Sequence, residues 1–255
     1  MASFTRILRK VQKSKIGNLL LKPSTIEGDL SLFSDEKKLI AYVKQAIADA
    51  DGLKSKLTSP SGQEILQLFG QCSERNRHLL NNLCSIKDAN YLEIGTYQGT
   101  SFVSAIYGNE KTIHPLVIDN WSLFGGPSFL FFQNCQIYIK GKYELIWRDC
   151  WQVSADEVKA KHGNNNKVHV YLYDADHSYQ SQYDAYIKYN DALNDLFVTV
   201  VDDYNNDEVE KGTQDAFRDL GYEVLFEQHL PARFVGDSEQ WWNGYYVAVV
   251  SKPKK

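Results

Sequence analysis

Tyr91-Leu92-Glu93-Ile94-Gly95-Thr96-Tyr97-Gln98-Gly99-Thr100-Ser101 is the stretch whose reading decides the fold. A short apolar run enters an acid, two glycines stand four apart, and small hydroxyl residues open a helix; a strand delivers its carboxyl end to a nucleotide-like ligand in this way. Gly95 and Gly99 let the backbone turn tightly and come close where a Cβ would collide, and the helix amides after Gly99 face the same space. Glu93, Gly95, Thr96, Tyr97, Gly99, Thr100 and Ser101 therefore form a candidate cofactor loop. An ordinary strand-turn-helix would also carry glycines here, so the rest of the chain must discriminate.

Downstream, strand-like runs at Tyr91 to Ile94, Pro115 to Ile118, Tyr143 to Trp147, Val168 to Tyr173 and Phe197 to Val201 alternate with helical stretches. Those stretches lie near Ser101 to Tyr107, Phe129 to Ile139, Ala155 to Lys161 and Tyr179 to Leu193, with a fifth at Val209 to Leu220 closed by Gly221. Such alternation specifies an α/β fold with a parallel sheet and right-handed crossovers. Tyr222 to Leu230 and Gly244 to Ser251 have no crossover helix between them and are expected to pair antiparallel at the sheet edge.

Upstream, Ser34-Asp35-Glu36 reads as a helix start, and Leu39, Ile40, Val43, Ile47 and Ala50 keep one apolar face until Gly52. Two further helical patterns flank Ser73, so residues 31–87 are expected to be a helical cap and residues 88–255 the main domain. The first 30 residues are a basic amphipathic arm: Arg6, Arg9, Lys10, Lys13, Lys15 and Lys22 accompany Phe4, Ile7, Leu8 and Val11 at helical spacing. An anionic surface, a partner subunit, a targeting role or packing on its own domain all fit such an arm. Gly163-Asn164-Asn165-Asn166 is a polar turn.

A chain of 255 residues, 43% hydrophobic and 24% charged, buries one sizeable core, and its formal net charge of -4 does not call for nucleic acid as a partner. Cys72, Cys84, Cys135 and Cys150 lack C-x-x-C spacing and follow no signal-peptide core, which fits reduced thiols in a cytoplasmic protein. No apolar run reaches bilayer length, so an integral membrane protein is not expected.

In an open parallel sheet, ligands bind beyond the carboxyl ends of the strands, and here every such end is acidic. The ends fall at Glu93, at Asp119-Asn120-Trp121, at Asp149-Cys150, at Asp174-Ala175-Asp176-His177 and at Asp202-Asp203-Tyr204-Asn205. Asp119 stands where a carboxylate accepts both hydroxyls of a ribose, or closes an Asx turn. Trp121 either lies against an adenine face or fills the core. Asn120 and Cys150 share these ends, and Asp149 is placed to accept from an exocyclic amino group. Asp174, Asp202 and Asp203 repel one another unless a hard divalent cation such as Mg²⁺ neutralises them; the bland alternative is solvated carboxylates capping helices. His177 is the histidine expected at this rim, either as a base for an acceptor hydroxyl or as a structural hydrogen-bonder.

At these residues the sequence resembles the class I S-adenosylmethionine-dependent methyltransferases, over roughly Asp88 to Lys252. Glu93-Ile94-Gly95-Thr96-Tyr97-Gln98-Gly99 resembles the family's first motif, with Tyr97 where the general pattern has another glycine. That departure is shared with the caffeoyl-CoA and catechol O-methyltransferase branch. Asp174-Ala175-Asp176-His177-Ser178-Tyr179 resembles the D-x-D-H-S-Y motif of a bacterial methyltransferase group, and Val200-Val201-Asp202-Asp203-Tyr204 resembles the corresponding strand end of the macrocin-type sugar O-methyltransferases. The resemblance implies a Rossmann-like fold with strand order 3-2-1-4-5-7-6 and strand 7 antiparallel. It further implies a loop holding the methionine part of the cofactor, Asp119 as ribose-binding acid, and Mg²⁺ on Asp174, Asp202 and Asp203. Asp174 and His177 are then the catalytic candidates, and the acceptor a hydroxylated small molecule or saccharide.

The same order places Pro231 to Asn243 over the sheet's carboxyl edge, making Arg233, Trp241, Trp242 and Asn243 candidates for gripping an acceptor, for a lid or for a dimer contact. A homo-oligomer through the N-terminal helices is a further expectation. A nicotinamide-dependent oxidoreductase is disfavoured, because Tyr97 occupies the place where a second glycine admits a pyrophosphate. A non-catalytic module working through the basic arm is the remaining rival.

Overall fold

The computed structural model describes residues 26–162 and 166–254. The basic arm up to Thr25 and the polar turn at 163–165 lie outside them. Seven strands form one sheet: β3 (Asn90–Ile94), β4 (His114–Asp119), β5 (Glu144–Trp147), β6 (Val168–Tyr173), β7 (Leu193–Val201), β8 (Glu223–Leu230) and β9 (Tyr245–Ser251). The numbering begins with β1 (Gly28–Asp29) and β2 (Ile86–Lys87), which pair separately as a short parallel ladder. The large sheet runs β5-β4-β3-β6-β7-β9-β8, and β9 alone runs opposite to the other six strands. Renumbered within the sheet this is 3-2-1-4-5-7-6. The chain has the Rossmann-like methyltransferase fold.

The central strands read as continuous apolar runs because both faces are covered, and successive side chains divide between two cores. Tyr91, Val117, Val170, Leu172, Val198, Val200, Val247 and Val249 point to one side. There they meet α1 (Glu36–Asp51), α2 (Pro60–Leu66), α3 (Glu74–Leu83), α4 (Thr100–Ile106) and α5 (Ser128–Tyr138). Leu92, Ile94, Leu116, Ile118, Tyr171, Tyr173, Phe197 and Val201 point to the other side. They meet α6 (Ala155–Lys161), α7 (Tyr179–Tyr189) and α8 (Asp207–Asp219). The N-terminal helices thus share one hydrophobic cluster with the sheet.

Helix starts follow their capping residues: the side chains of Asp35, Ser73, Ser154, Ser178 and Asn206 each accept from a backbone amide of the first turn. One boundary differs from the sequence pattern. The helix expected to reach Leu193 stops at Tyr189, and β7 begins at Leu193 rather than Phe197. Leu193 pairs with Val168 before an irregularity in which β7 carries the extra residues, so its apolar side chain is recruited by the sheet and not by the helix. Among the described residues no helix is long and apolar enough to cross a membrane.

At the amino end of the sheet, His162 and His169 are buried, and burial pushes their imidazoles down to about 3 and about 4, His162 being lowered further by its histidine neighbours. Both are neutral in the fold yet take up protons near pH 6.5 once unfolded, so their contribution is complete above pH 6.5 and is lost as pH falls. Urea titrations between pH 7 and pH 4 should show the midpoint falling with pH, and His162→Gln should have a shallower slope than the wild type. An identical slope would mean that His162 is not held neutral.

Candidate functional site

β3 ends against the backbone of β6. Gly95 has φ +81°, and a Cβ built there would stand 1.8 Å from the Asp174 carbonyl oxygen. The Gly95 amide donates to Ile118 O of β4 (2.9 Å), and the Asp174 amide donates to Ile94 O (2.8 Å). The loop leaving β3 is therefore wedged between its two neighbouring strands. Tyr97, in place of a further glycine, adopts φ +51°, a left-handed conformation uncommon for an aromatic residue. Gly99, at φ +80°, sits where a Cβ would meet the Phe131 ring at 2.7 Å.

Beneath the loop, Glu93 is fully buried and accepts from Tyr91 Oη (2.5 Å) and Ser101 Oγ (2.7 Å). Burial outweighs these hydrogen bonds and pushes its carboxyl up to about 8, so Glu93 is largely protonated at neutral pH. Asp119 accepts from the Thr96 and Tyr97 amides (2.8 and 3.1 Å) through Oδ2, and from the Trp121 amide (2.7 Å) through Oδ1. The ring of Trp121 packs among Phe131, Phe132 and Trp147, and its Nε1 donates to Tyr97 O (2.7 Å). Asp149 closes an Asx turn on the Trp151 amide (2.8 Å).

These elements line one cavity of about 400 Å³. Of the cofactor candidates, Gly95, Thr96, Tyr97, Thr100, Ser101, Asp119, Asn120, Trp121, Asp149, Cys150 and Asp174 border it, whereas Glu93 and Gly99 support it from behind. The metal candidates Asp174, Asp202 and Asp203 border the same space, as does His177.

Sequence reasoning missed part of the wall. Leu123 and Phe124 come from the loop after β4, and Gln71 and Cys72 come from the loop between α2 and α3. The second pair is delivered by Arg77, which is buried on α3 and donates to the carbonyls of Ile65, Leu66 and Leu68 (each 2.9 Å) and Cys72 (3.2 Å). Thr100 Oγ1 donates to Phe69 O (2.9 Å), tying this loop to α4. No local pattern around Gln71 announces this role; the apolar pair in the Gly125-Gly126 loop was the one available signal. Arg233, Trp241, Trp242 and Asn243 do not line the cavity. Arg233 is instead held by Asp237 (2.7 and 2.8 Å) and Glu239 (2.9 Å), and Trp241 is buried in the core.

At the ends of β6 and β7, His177 lies between two carboxylates. Its Nδ1 is 3.1 Å from Asp203 Oδ2 and its Nε2 is 3.5 Å from Asp174 Oδ1. Burial disfavours the imidazolium, but the hydrogen bonds and charges of Asp174 and Asp203 prevail and raise it to about 10. The neutral base expected of this residue is therefore a cation in this arrangement. Burial, reinforced by the charges of Asp174 and Asp203, drives Asp202 well above the carboxylate range. Asp202 Oδ1 is buried without a hydrogen-bond partner. One ligand atom each from Asp174, His177 and Asp202 lie within 4.8 Å of one another, while Asp203 contacts the far side of the imidazole. An under-satisfied buried carboxylate beside two further acids fits a divalent cation.

No family model matches the chain, and no curated protein matches it. Among solved structures, it is similar to TrmN from Thermus thermophilus, with a TM-score of 0.50 and 12% identity over 74% of this chain and 52% of that one. The chain thus spans about half the length of TrmN. It is also similar to an O-methyltransferase from Bacillus cereus in complex with SAH, with a TM-score of 0.48 and 16% identity over 87% and 91% of the two chains. At these identities the likeness is one of fold.

Two substitutions test the architecture of the loop. Gly95→Ala meets both the strained φ and the Asp174 carbonyl, and should lower thermal stability and remove ligand binding to the cavity together. Glu93→Gln replaces a largely protonated acid by a neutral isostere and should melt close to the wild type at pH 7. A large loss of melting temperature for Glu93→Gln would show that the carboxylate is ionised.

Proposed function

We propose that the chain is an S-adenosylmethionine-dependent O-methyltransferase acting on a hydroxyl of a small molecule or saccharide, with assistance from a divalent cation. The observation that carries this reading is the convergence, in one cavity, of the glycine loop and Asp119 with the acid cluster at the ends of β6 and β7. A nucleotide-type cofactor site and a cation-type site thereby share one space.

The cavity's charge supports a small acceptor. Asp119, Asp149, Asp174, Asp176, Asp202 and Asp203 line it, and among the described residues no lysine or arginine does. A phosphodiester backbone needs cations to neutralise it, and this wall offers the opposite.

The cofactor supplies an electrophilic methyl group on a sulfonium, and a divalent cation supplies charge that makes a hydroxyl more acidic. The chain's own residues have three tasks. Gly95 to Tyr97 and Asp119 fix the cofactor edge of the cavity, with Asp119 set in place by the loop amides it already accepts from. Asp174 and Asp202 hold the cation. The acceptor's proton is taken by a carboxylate of the cluster, and orientation of the hydroxyl contributes most of the rate. A non-catalytic module acting through the basic arm is the rival, and deletion of residues 1–26 should leave an enzyme's activity largely unchanged.

Calorimetric titration with S-adenosylhomocysteine, with and without Mg²⁺, should show micromolar binding; absence of binding in both conditions would remove the reading. Asp202→Ala should bind S-adenosylhomocysteine nearly as well as the wild type while turnover of any acceptor found falls by roughly a hundredfold or more. Lost binding with retained turnover would refute the role given to Asp202.

A further inference from the structure

The cation-binding reading of the acid cluster rests on the function just proposed, but the geometry of the cluster goes further than three carboxylates. We propose that the cation is held by a mixed set, Asp174, Asp202 and the Nε2 of His177, with Asp203 acting on the imidazole and not on the metal, and that the site selects Mn²⁺, Fe²⁺, Co²⁺ or Zn²⁺ over Mg²⁺.

Three observations lead there. Asp174, Asp202 and His177 present ligand atoms within 4.8 Å of one another. Ligands around a common small divalent ion stand about 3.0–4.3 Å apart, so a shift of a few tenths of an ångström in each side chain closes the set. His177 Nε2 is buried with only a long, 3.5 Å approach to Asp174 Oδ1, and Asp202 Oδ1 is buried and unsatisfied, with its residue only 4% exposed. Asp203 Oδ1 is buried and unsatisfied as well, but the ligand atoms that lie within 4.8 Å of one another come from Asp174, His177 and Asp202.

The third observation is Asp203. Its Oδ2 stands 3.1 Å from Nδ1 of His177, the ring nitrogen other than the one that faces Asp174. A metal-binding histidine commonly donates its second N–H to a carboxylate in this way, which fixes the tautomer that leaves the other nitrogen free to ligate. Asp203 itself is held at φ +55°, a conformation a non-glycine residue adopts at some cost, and Asn206 N donates to its carbonyl oxygen (2.9 Å). The backbone of this turn thus carries the Asp203 side chain to the imidazole.

The ligand set dictates the preference. Mg²⁺ strongly favours oxygen and gives up its waters reluctantly, while an imidazole nitrogen among carboxylates suits the later first-row ions. A cation on Nε2 takes the place of a ring proton, which leaves to solvent, and the positive charge facing Asp174 is kept. The ring is then a ligand, and the acceptor's proton passes to a carboxylate.

The full chain can be titrated calorimetrically with Mn²⁺, Zn²⁺ and Mg²⁺, and the Mn²⁺ form examined by electron spin echo envelope modulation for a directly bound ¹⁴N. Wild type should show imidazole modulation and bind Mn²⁺ and Zn²⁺ at least tenfold more tightly than Mg²⁺. His177→Asn should lose the modulation and most of the discrimination. Asp203→Asn should keep the modulation while affinity falls roughly 10–100-fold. Mn²⁺ bound without nitrogen modulation, or binding abolished in Asp203→Asn and intact in His177→Asn, would overturn the mixed set in favour of oxygen ligands alone. Failure of every metal to bind would overturn it too. S-adenosylhomocysteine titrated into the same samples reports separately on the proposed function, and its binding by each variant shows that the variant is folded.

Discussion

The site depends on the absence of a side chain at one point. Where β3 ends, Gly95 lies so close to the carbonyl of Asp174 that no Cβ fits, and the β3 and β6 backbones are joined there by the Asp174 amide. This contact sits at the place where the sheet's order reverses, with β3 leading one way to β4 and the other way to β6. A crevice opens at such a point because consecutive connections leave on opposite sides. The glycine loop and the first acid of the cluster are therefore placed by the same close approach.

Around that contact, polar groups are disposed by depth. Glu93, below the loop, is isolated from water and kept neutral by burial, so it joins Tyr91 to Ser101 without placing a charge in the core. Asp119, at the rim, has its carboxylate pinned by three backbone amides and pre-organised. The acids farther along, at the ends of β6 and β7, are too crowded for simple solvation, and His177 moderates their repulsion. Each carboxylate has a different role because the number of amides, waters and like charges around it differs.

The helices before the sheet contribute more to the cavity than a cover would. Arg77 is a buried cation whose hydrogen bonds go to the last carbonyls of α2 and to the carbonyls and thiol of the loop after it, and that loop puts Gln71 and Cys72 on the wall of the cavity that the acid cluster also lines. Burying a guanidinium is costly unless its donors are met, and here they are met by backbone that would otherwise lack partners. This part of the wall is thus built by a residue that lies more than fifteen positions earlier in the chain than the glycine motif.

The α/β alternation, the glycine loop after β3 and the acidic strand ends were legible in the amino-acid sequence, because strand polarity and two-sided burial are local consequences of residue type. Tyr91 to Ile94 could hardly be other than a buried strand, and Asp119, Asp174 and Asp202 follow such strands directly. What the sequence could not determine is direction and distance among groups far apart in the chain. Trp121 had two readings until its ring was seen among Phe131, Phe132 and Trp147; Asp202 and Asp203, adjacent in sequence, turn out to face different partners because the backbone between them takes a left-handed step. Arg233 and Trp241, well placed by topology, were claimed by Asp237 and the core. Residue type and spacing determine which elements form and what chemistry they carry. Only tertiary packing decides which side chains of that chemistry meet, because the deciding contacts join residues tens of positions apart.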